Sequence, residues 1–125
     1  MVVDGRTILP NMVLGNKRKG LKICYCTDTR PTKEIENFAQ KSDLFICEGM
    51  YMEKSYLLQA KKHKHMLGTE AADVAKRSNV KELWLTHFSP AIPNSYLCVS
   101  EPKEIFENTK LGYDRMNLTL DFEKE

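Results

Sequence analysis

Leu83-Trp84-Leu85-Thr86-His87 is a short apolar run that stops on an imidazole, and two earlier stretches follow the same plan. Leu21-Lys22-Ile23-Cys24-Tyr25-Cys26 is β-rich and ends at the polar loop Thr27-Asp28-Thr29-Arg30-Pro31, while Leu44-Phe45-Ile46-Cys47 ends on Glu48. Runs of this length, closed by polar residues or proline, read as strands. Helical patterns separate them. Thr32 is placed to cap a helix that carries Ile35, Phe38 and Ala39 to about Gln40, and Met52 to about Lys62 forms another. Beyond a break at Gly68, Thr69 opens a small-residue helix through Ala71-Ala72-Asp73-Val74-Ala75 that closes near Ser78-Asn79. A short helix around Lys103 to Phe106 and a last strand, with Leu118, Leu120 and Phe122 alternating, are predicted to complete the chain. Strands separated by helices predict an α/β fold with largely parallel strands.

At 125 residues the chain has room for one unit, residues 1–125, and its 42% apolar and 29% charged residues are those of a protein that folds. Nineteen Lys and Arg against 17 Asp and Glu leave a net charge of +2, too weak to argue for a nucleic-acid or membrane partner from the whole molecule. The sequence has no apolar run of roughly 20 residues and opens without a secretory pattern, so a cytoplasmic location without a membrane partner is expected. Of the four cysteines, Cys24, Cys26 and Cys47 lie in strand runs and Cys98 stands alone. The C-x-C spacing is not that of a zinc knuckle, and free, mostly buried thiols are expected.

In parallel sheets ligands collect at the carboxyl ends of strands, where this sequence puts Asp28, Glu48 and His87, with His65 just before a helix. A carboxylate and an imidazole are donors that zinc accepts, but two ligands do not complete a site. Glu48 and His65 would either add donors or form a pair in which the carboxylate orients the ring for proton transfer. Blander readings stand beside these: Asp28 as a turn former, Glu48 as a solvated loop acid, His65 as part of the basic run Lys61-Lys62-His63-Lys64, His87 as a hydrogen-bonded core histidine. His63 is read as a surface residue.

Cys26-Thr27-Asp28-Thr29-Arg30-Pro31, Cys47-Glu48-Gly49, His65-Met66-Leu67-Gly68-Thr69-Glu70-Ala71-Ala72 and Leu85-Thr86-His87-Phe88-Ser89 resemble, in order and spacing, the carboxyl-terminal part of the ribonuclease Z family. The resemblance runs from Val3-Asp4-Gly5 to Leu111-Gly112-Tyr113-Asp114-Arg115-Met116, nearly the whole chain. It implies one half of a metallo-β-lactamase αβ/βα sandwich, two zinc ions and endonucleolytic trimming of tRNA precursors at their 3′ ends. It further implies that Asp28 bridges the two ions and His87 binds one. Glu48 and His65 would be the acid and histidine pair at the scissile phosphate, and a metal-bridging hydroxide would be the attacking group.

The sequence departs from that pattern at Thr27, where the family usually has glycine, and at Gly49-Met50-Tyr51, where it usually has a small residue and threonine. A His-x-His-x-Asp-His motif, a further histidine ligand and the tRNA-gripping arm are absent from these residues. The resemblance places the motif in the preceding half of the fold, so these residues are expected to be inactive by themselves. An apolar sheet face around Ile23, Phe45 and Leu83-Leu85 is then expected to be bare, to be covered by a second copy in a homodimer or by a complementary amino-terminal half. Two other readings remain: a non-catalytic remnant or assembly module of the same fold, and another metallo-β-lactamase-fold hydrolase.

Overall fold

Two short strands, β1 (Val2–Val3) and β2 (Arg6–Thr7), pair antiparallel around Asp4-Gly5 in the computed structural model, which describes residues 1–124. Both turn residues have positive φ, the conformation that matches a two-residue turn to the twist of its strands. A one-turn helix, α1 (Pro10–Val13), follows.

The main sheet has four parallel strands in the order β3 (Ile23–Cys26), β4 (Leu44–Glu48), β5 (Leu83–Thr86) and β6 (Thr109–Leu111). Helix α2 (Lys33–Ala39) joins β3 to β4, and its Thr32 hydroxyl accepts the Ile35 amide at 3.2 Å, the expected cap. Helices α3 (Leu57–His63) and α4 (Gly68–Arg77) join β4 to β5, and α5 (Ser100–Ile105) leads to β6. The predicted helix from Met52 is divided: Lys54–Tyr56 form a single 3₁₀ turn before α3 begins. The α/β reading holds. No helix among the described residues is long and apolar enough to cross a membrane.

Pleating sends Cys24, Phe45, Cys47, Leu83 and Leu85 to one side of the sheet, where Ala39 of α2 and Ala71, Ala72, Val74 and Ala75 of α4 close the core. Small side chains on α4 let its backbone approach the sheet closely. The bare face is therefore where the sequence puts it only at Ile23, and not at Phe45 or Leu83-Leu85. Phe45, Leu83 and Leu85 are no more than 1% exposed beneath the helices, whereas Ile23 and Tyr25, on the other side of β3, are 59% and 67% exposed.

The alternation of Leu118, Leu120 and Phe122 forms no strand. The place beside β5 is taken by Thr109–Leu111, and among the described residues nothing pairs with the outer edges of β3 and β6. Residues 112–124 instead run without strand structure, with the Arg18 guanidinium 3.8 Å from the Phe122 ring centroid and Lys81 Nζ 3.4 Å from Glu123. Gly112 is required at the start of this segment, since a Cβ there would lie 2.9 Å from the Leu85 carbonyl oxygen.

Candidate active site

Register aligns the carboxyl ends of the central strands: Cys26 pairs with Cys47, Cys47 with Leu85, and Glu48 with Thr86. Asp28 comes two residues beyond the end of β3 and His87 immediately beyond β5, and both have left-handed backbones, φ 56° and 57°. Asp and His tolerate this conformation better than branched residues do. It stops the ladder and leaves both side chains at the sheet's end, exposed to solvent.

His65 arrives by another route. Lys64 takes the left-handed conformation, φ 60°, so that the His65 amide donates to the Ala60 carbonyl at 2.8 Å and the Lys64 amide to Lys61 at 3.4 Å. These two bonds are the reverse turn that ends many helices, built here on lysine where glycine is commoner. The turn directs His65 at the strand ends. Ligand atoms of Asp28, His65 and His87 then lie within 4.8 Å of one another, and the two imidazole rings meet edge to face with centroids 5.5 Å apart.

Glu48 lies beneath this cluster, fully buried. One carboxylate oxygen accepts the Thr29 amide at 2.9 Å, and the other accepts the Met66 amide at 3.2 Å and His65 Nδ1 at 3.0 Å. A carboxylate only accepts, so Nδ1 carries the proton and Nε2 is the ring's free atom. Glu48 thus ties the loop after β3 to the turn after α3 and fixes the orientation of His65 from a site with no solvent access.

Arg30 and Glu70 have no assigned role in the sequence reading, yet they hold the same turn. The Arg30 guanidinium donates to the His65 carbonyl at 2.6 Å and forks onto Glu70 at 2.8 and 2.5 Å, while Glu70 also accepts the Leu67 amide at 3.0 Å. The signal that could have found Glu70 is its position three residues after Leu67, the residue that precedes α4, the spacing of a reciprocal cap. His63 is exposed in the last turn of α3, outside the cluster. All four cysteines are free: Cys24 and Cys47 buried, Cys26 half-buried and Cys98 exposed.

One carboxylate oxygen and two imidazole nitrogens form a mixed donor set of the kind zinc takes, and every buried polar side-chain atom among the described residues already has a partner. Within the cluster, His65 is bonded to Glu48 through Nδ1 and Asp28 accepts the Thr27 hydroxyl at 3.0 Å, while Asp28 and His87 stand exposed to solvent.

No family model matches the chain. Over 121 residues it is 53% identical to the protein named Ribonuclease Z of Lachnoclostridium phytofermentans, an alignment covering 97% of this chain and 40% of that one. The chain spans about two-fifths of the length of the curated relatives it matches. Among solved structures it superposes on the short form of human tRNase Z with a TM-score of 0.63 and 26% identity, over 82% of this chain and 34% of that one. It superposes on YhfI of Bacillus subtilis, a metallo-β-lactamase fold protein, with a TM-score of 0.62 and 24% identity, over 72% of this chain and 36% of that one. The fold is part of that architecture.

Proposed function

The chain belongs to the ribonuclease Z family and corresponds to its carboxyl-terminal part, and from that premise we propose that it carries part of the active site of a zinc-dependent phosphodiesterase acting on the 3′ ends of tRNA precursors. The observation that supports this most is the convergence of Asp28, His65 and His87 within 4.8 Å at the strand ends. Asp28 and His87 are the metal-holding residues in this reading, completed by donors outside these 125 residues. When bound, zinc supplies Lewis-acid stabilisation of charge on the phosphoryl oxygens.

The chain's own contribution is a positioned proton. Glu48 holds Nδ1–H and stabilises the imidazolium of His65, whose Nε2–H passes to the leaving 3′ oxygen. Arg30, committed to Glu70 and to the His65 carbonyl, keeps the turn in place without touching substrate. Asp28 and His87 alone fall short of the roughly three protein ligands that a catalytic zinc takes, so weak zinc binding and no cleavage are expected from these residues alone. The exposed face at Ile23 and Tyr25 is assigned to the remainder of the protein or to a second copy.

Metal content and cleavage of a tRNA precursor, measured on the complete protein, test the roles. His87→Ala is expected to lose metal. His65→Ala is expected to keep it while turnover falls roughly 10²–10⁴-fold, the scale of a lost general acid. Equal metal loss in both variants would make His65 a ligand, and an unchanged rate in both would overturn the reading.

A further inference from the structure

The side chains of the lysines between Lys54 and Lys64, and of the tyrosines beside them, take no part in the site described above. Tyr51 and Tyr56 stack face to face, with centroids 5.2 Å apart and planes 3° from parallel. Beyond the pair, Tyr56 borders a cleft of about 270 Å³ whose other sides include Met52, Ile92, Pro93 and Tyr96. Tyr96 is 68% exposed, and its amide is held by the Pro93 carbonyl at 2.9 Å.

The cleft is built from the two segments that leave the site. The Ser89 amide, two residues past His87, donates to the Met50 carbonyl at 2.9 Å, two residues past Glu48, and the Gly68 amide donates to the Tyr51 carbonyl at 2.9 Å. Lys54, Lys61, Lys62 and Lys64 are exposed, and none of them enters an ion pair among the described residues. Lys61 and Lys62 lie three and four residues beyond Leu58, so the three share one face of α3. Glu53 also lines the cleft and would repel a phosphate there, but its carboxylate can accept a hydrogen bond from the amino group of a base. An aromatic slot with an acceptor inside it and free cations outside matches single-stranded RNA, with bases stacked and phosphates on lysines.

We propose that the cleft between Tyr56 and Tyr96 is a base-stacking subsite for the unpaired RNA strand whose scissile phosphate meets Asp28, His65 and His87, with the lysines of the 54–64 segment holding that strand's phosphates. The proposal rests on the phosphodiesterase reading and adds where the strand runs. Tyr51 backs Tyr56 and keeps it rigid, and the exposed Tyr96 closes the slot from the opposite loop.

Fluorescence anisotropy of a labelled oligoadenylate on the complete protein, beside inorganic polyphosphate as a polyanion without bases, tests it. Tyr96→Ala is expected to weaken oligoadenylate binding roughly 5- to 150-fold, the range of one lost base stack, and Tyr96→Phe to retain it. Polyphosphate binding should be unchanged in both. Lys61→Ala with Lys62→Ala should weaken both probes and flatten the salt dependence. A loss below about twofold in Tyr96→Ala, or an equal loss for polyphosphate, overturns the stacking subsite. In that case intact precursor cleavage would leave the phosphodiesterase reading standing, whereas a wild-type protein that binds neither probe and cleaves no precursor would overturn both.

Discussion

Replacing Glu48 by glutamine probes the residue on which the candidate site rests. The side chain keeps its size, so no cavity opens, but one accepting oxygen becomes a donating NH₂. If the amide nitrogen faces Thr29, it meets an amide hydrogen that formerly had an acceptor at 2.9 Å. If it faces His65 and Met66, the Met66 amide loses its acceptor, and His65 can keep its bond only by accepting at Nδ1, which moves the proton to Nε2 and points it at the cluster. Either orientation leaves at least one buried donor unsatisfied, at a cost of about 1–3 kcal/mol.

With an unfolding entropy of roughly 2.1 cal/mol/K per residue, that cost lowers the melting temperature of a 125-residue unit by about 4–11 °C. Calorimetry reads the shift, and ¹⁵N spectra of the His65 ring read which nitrogen carries the proton. A melting temperature within about 1 °C of the parent, with the proton still on Nδ1, would refute the account of Glu48 as the anchor of the ring.

Lys64→Gly removes the left-handed penalty at the end of α3 and is expected to raise stability by up to about 1 kcal/mol in thermal unfolding; a lower melting temperature would contradict the turn described here. Iodoacetamide should label Cys98 first, exposed and held below the ordinary thiol range by the Ser100 hydroxyl. Cys26, lowered by its bond with Cys47, should follow, and the buried Cys24 and Cys47 should react only on unfolding; peptide mapping checks the order. The Asp43 carboxyl is held below its ordinary value by the Lys22 amide, against the opposing effect of burial, with Lys81 adding to the lowering. Its contribution is therefore present above the unfolded carboxyl value of about 3.9 and is lost as pH falls through the folded one. Asp43→Asn should cost about 1–3 kcal/mol in urea unfolding at pH 7, and the gap from the parent should narrow in acid.

What the sequence could show and what it could not are divided by chain distance and by backbone handedness. Leu44-Phe45-Ile46-Cys47 and Leu83-Trp84-Leu85-Thr86 were legible because strands covered on both faces are written as continuous apolar runs, and their closing residues, Glu48 and His87, marked the end of the sheet at which the candidate site lies. Thr109-Lys110-Leu111 was too short to announce a strand, and the better alternation at Leu118, Leu120 and Phe122 pairs with neither edge of the sheet. The Arg30–Glu70 pair spans forty residues and leaves no local trace.

The least legible feature is the one that assembles the cluster. Seven non-glycine residues among those described have positive φ, and three of them, Asp28, Lys64 and His87, either belong to the cluster or deliver His65 to it. None carries the glycine that would advertise the conformation. Such backbones persist only where their surroundings hold them. Here Glu48 reaches both the Thr29 amide, next to Asp28, and the Met66 amide, two residues past Lys64, so a single buried carboxylate secures two of the three turns that bring the candidate metal and proton-transfer groups together.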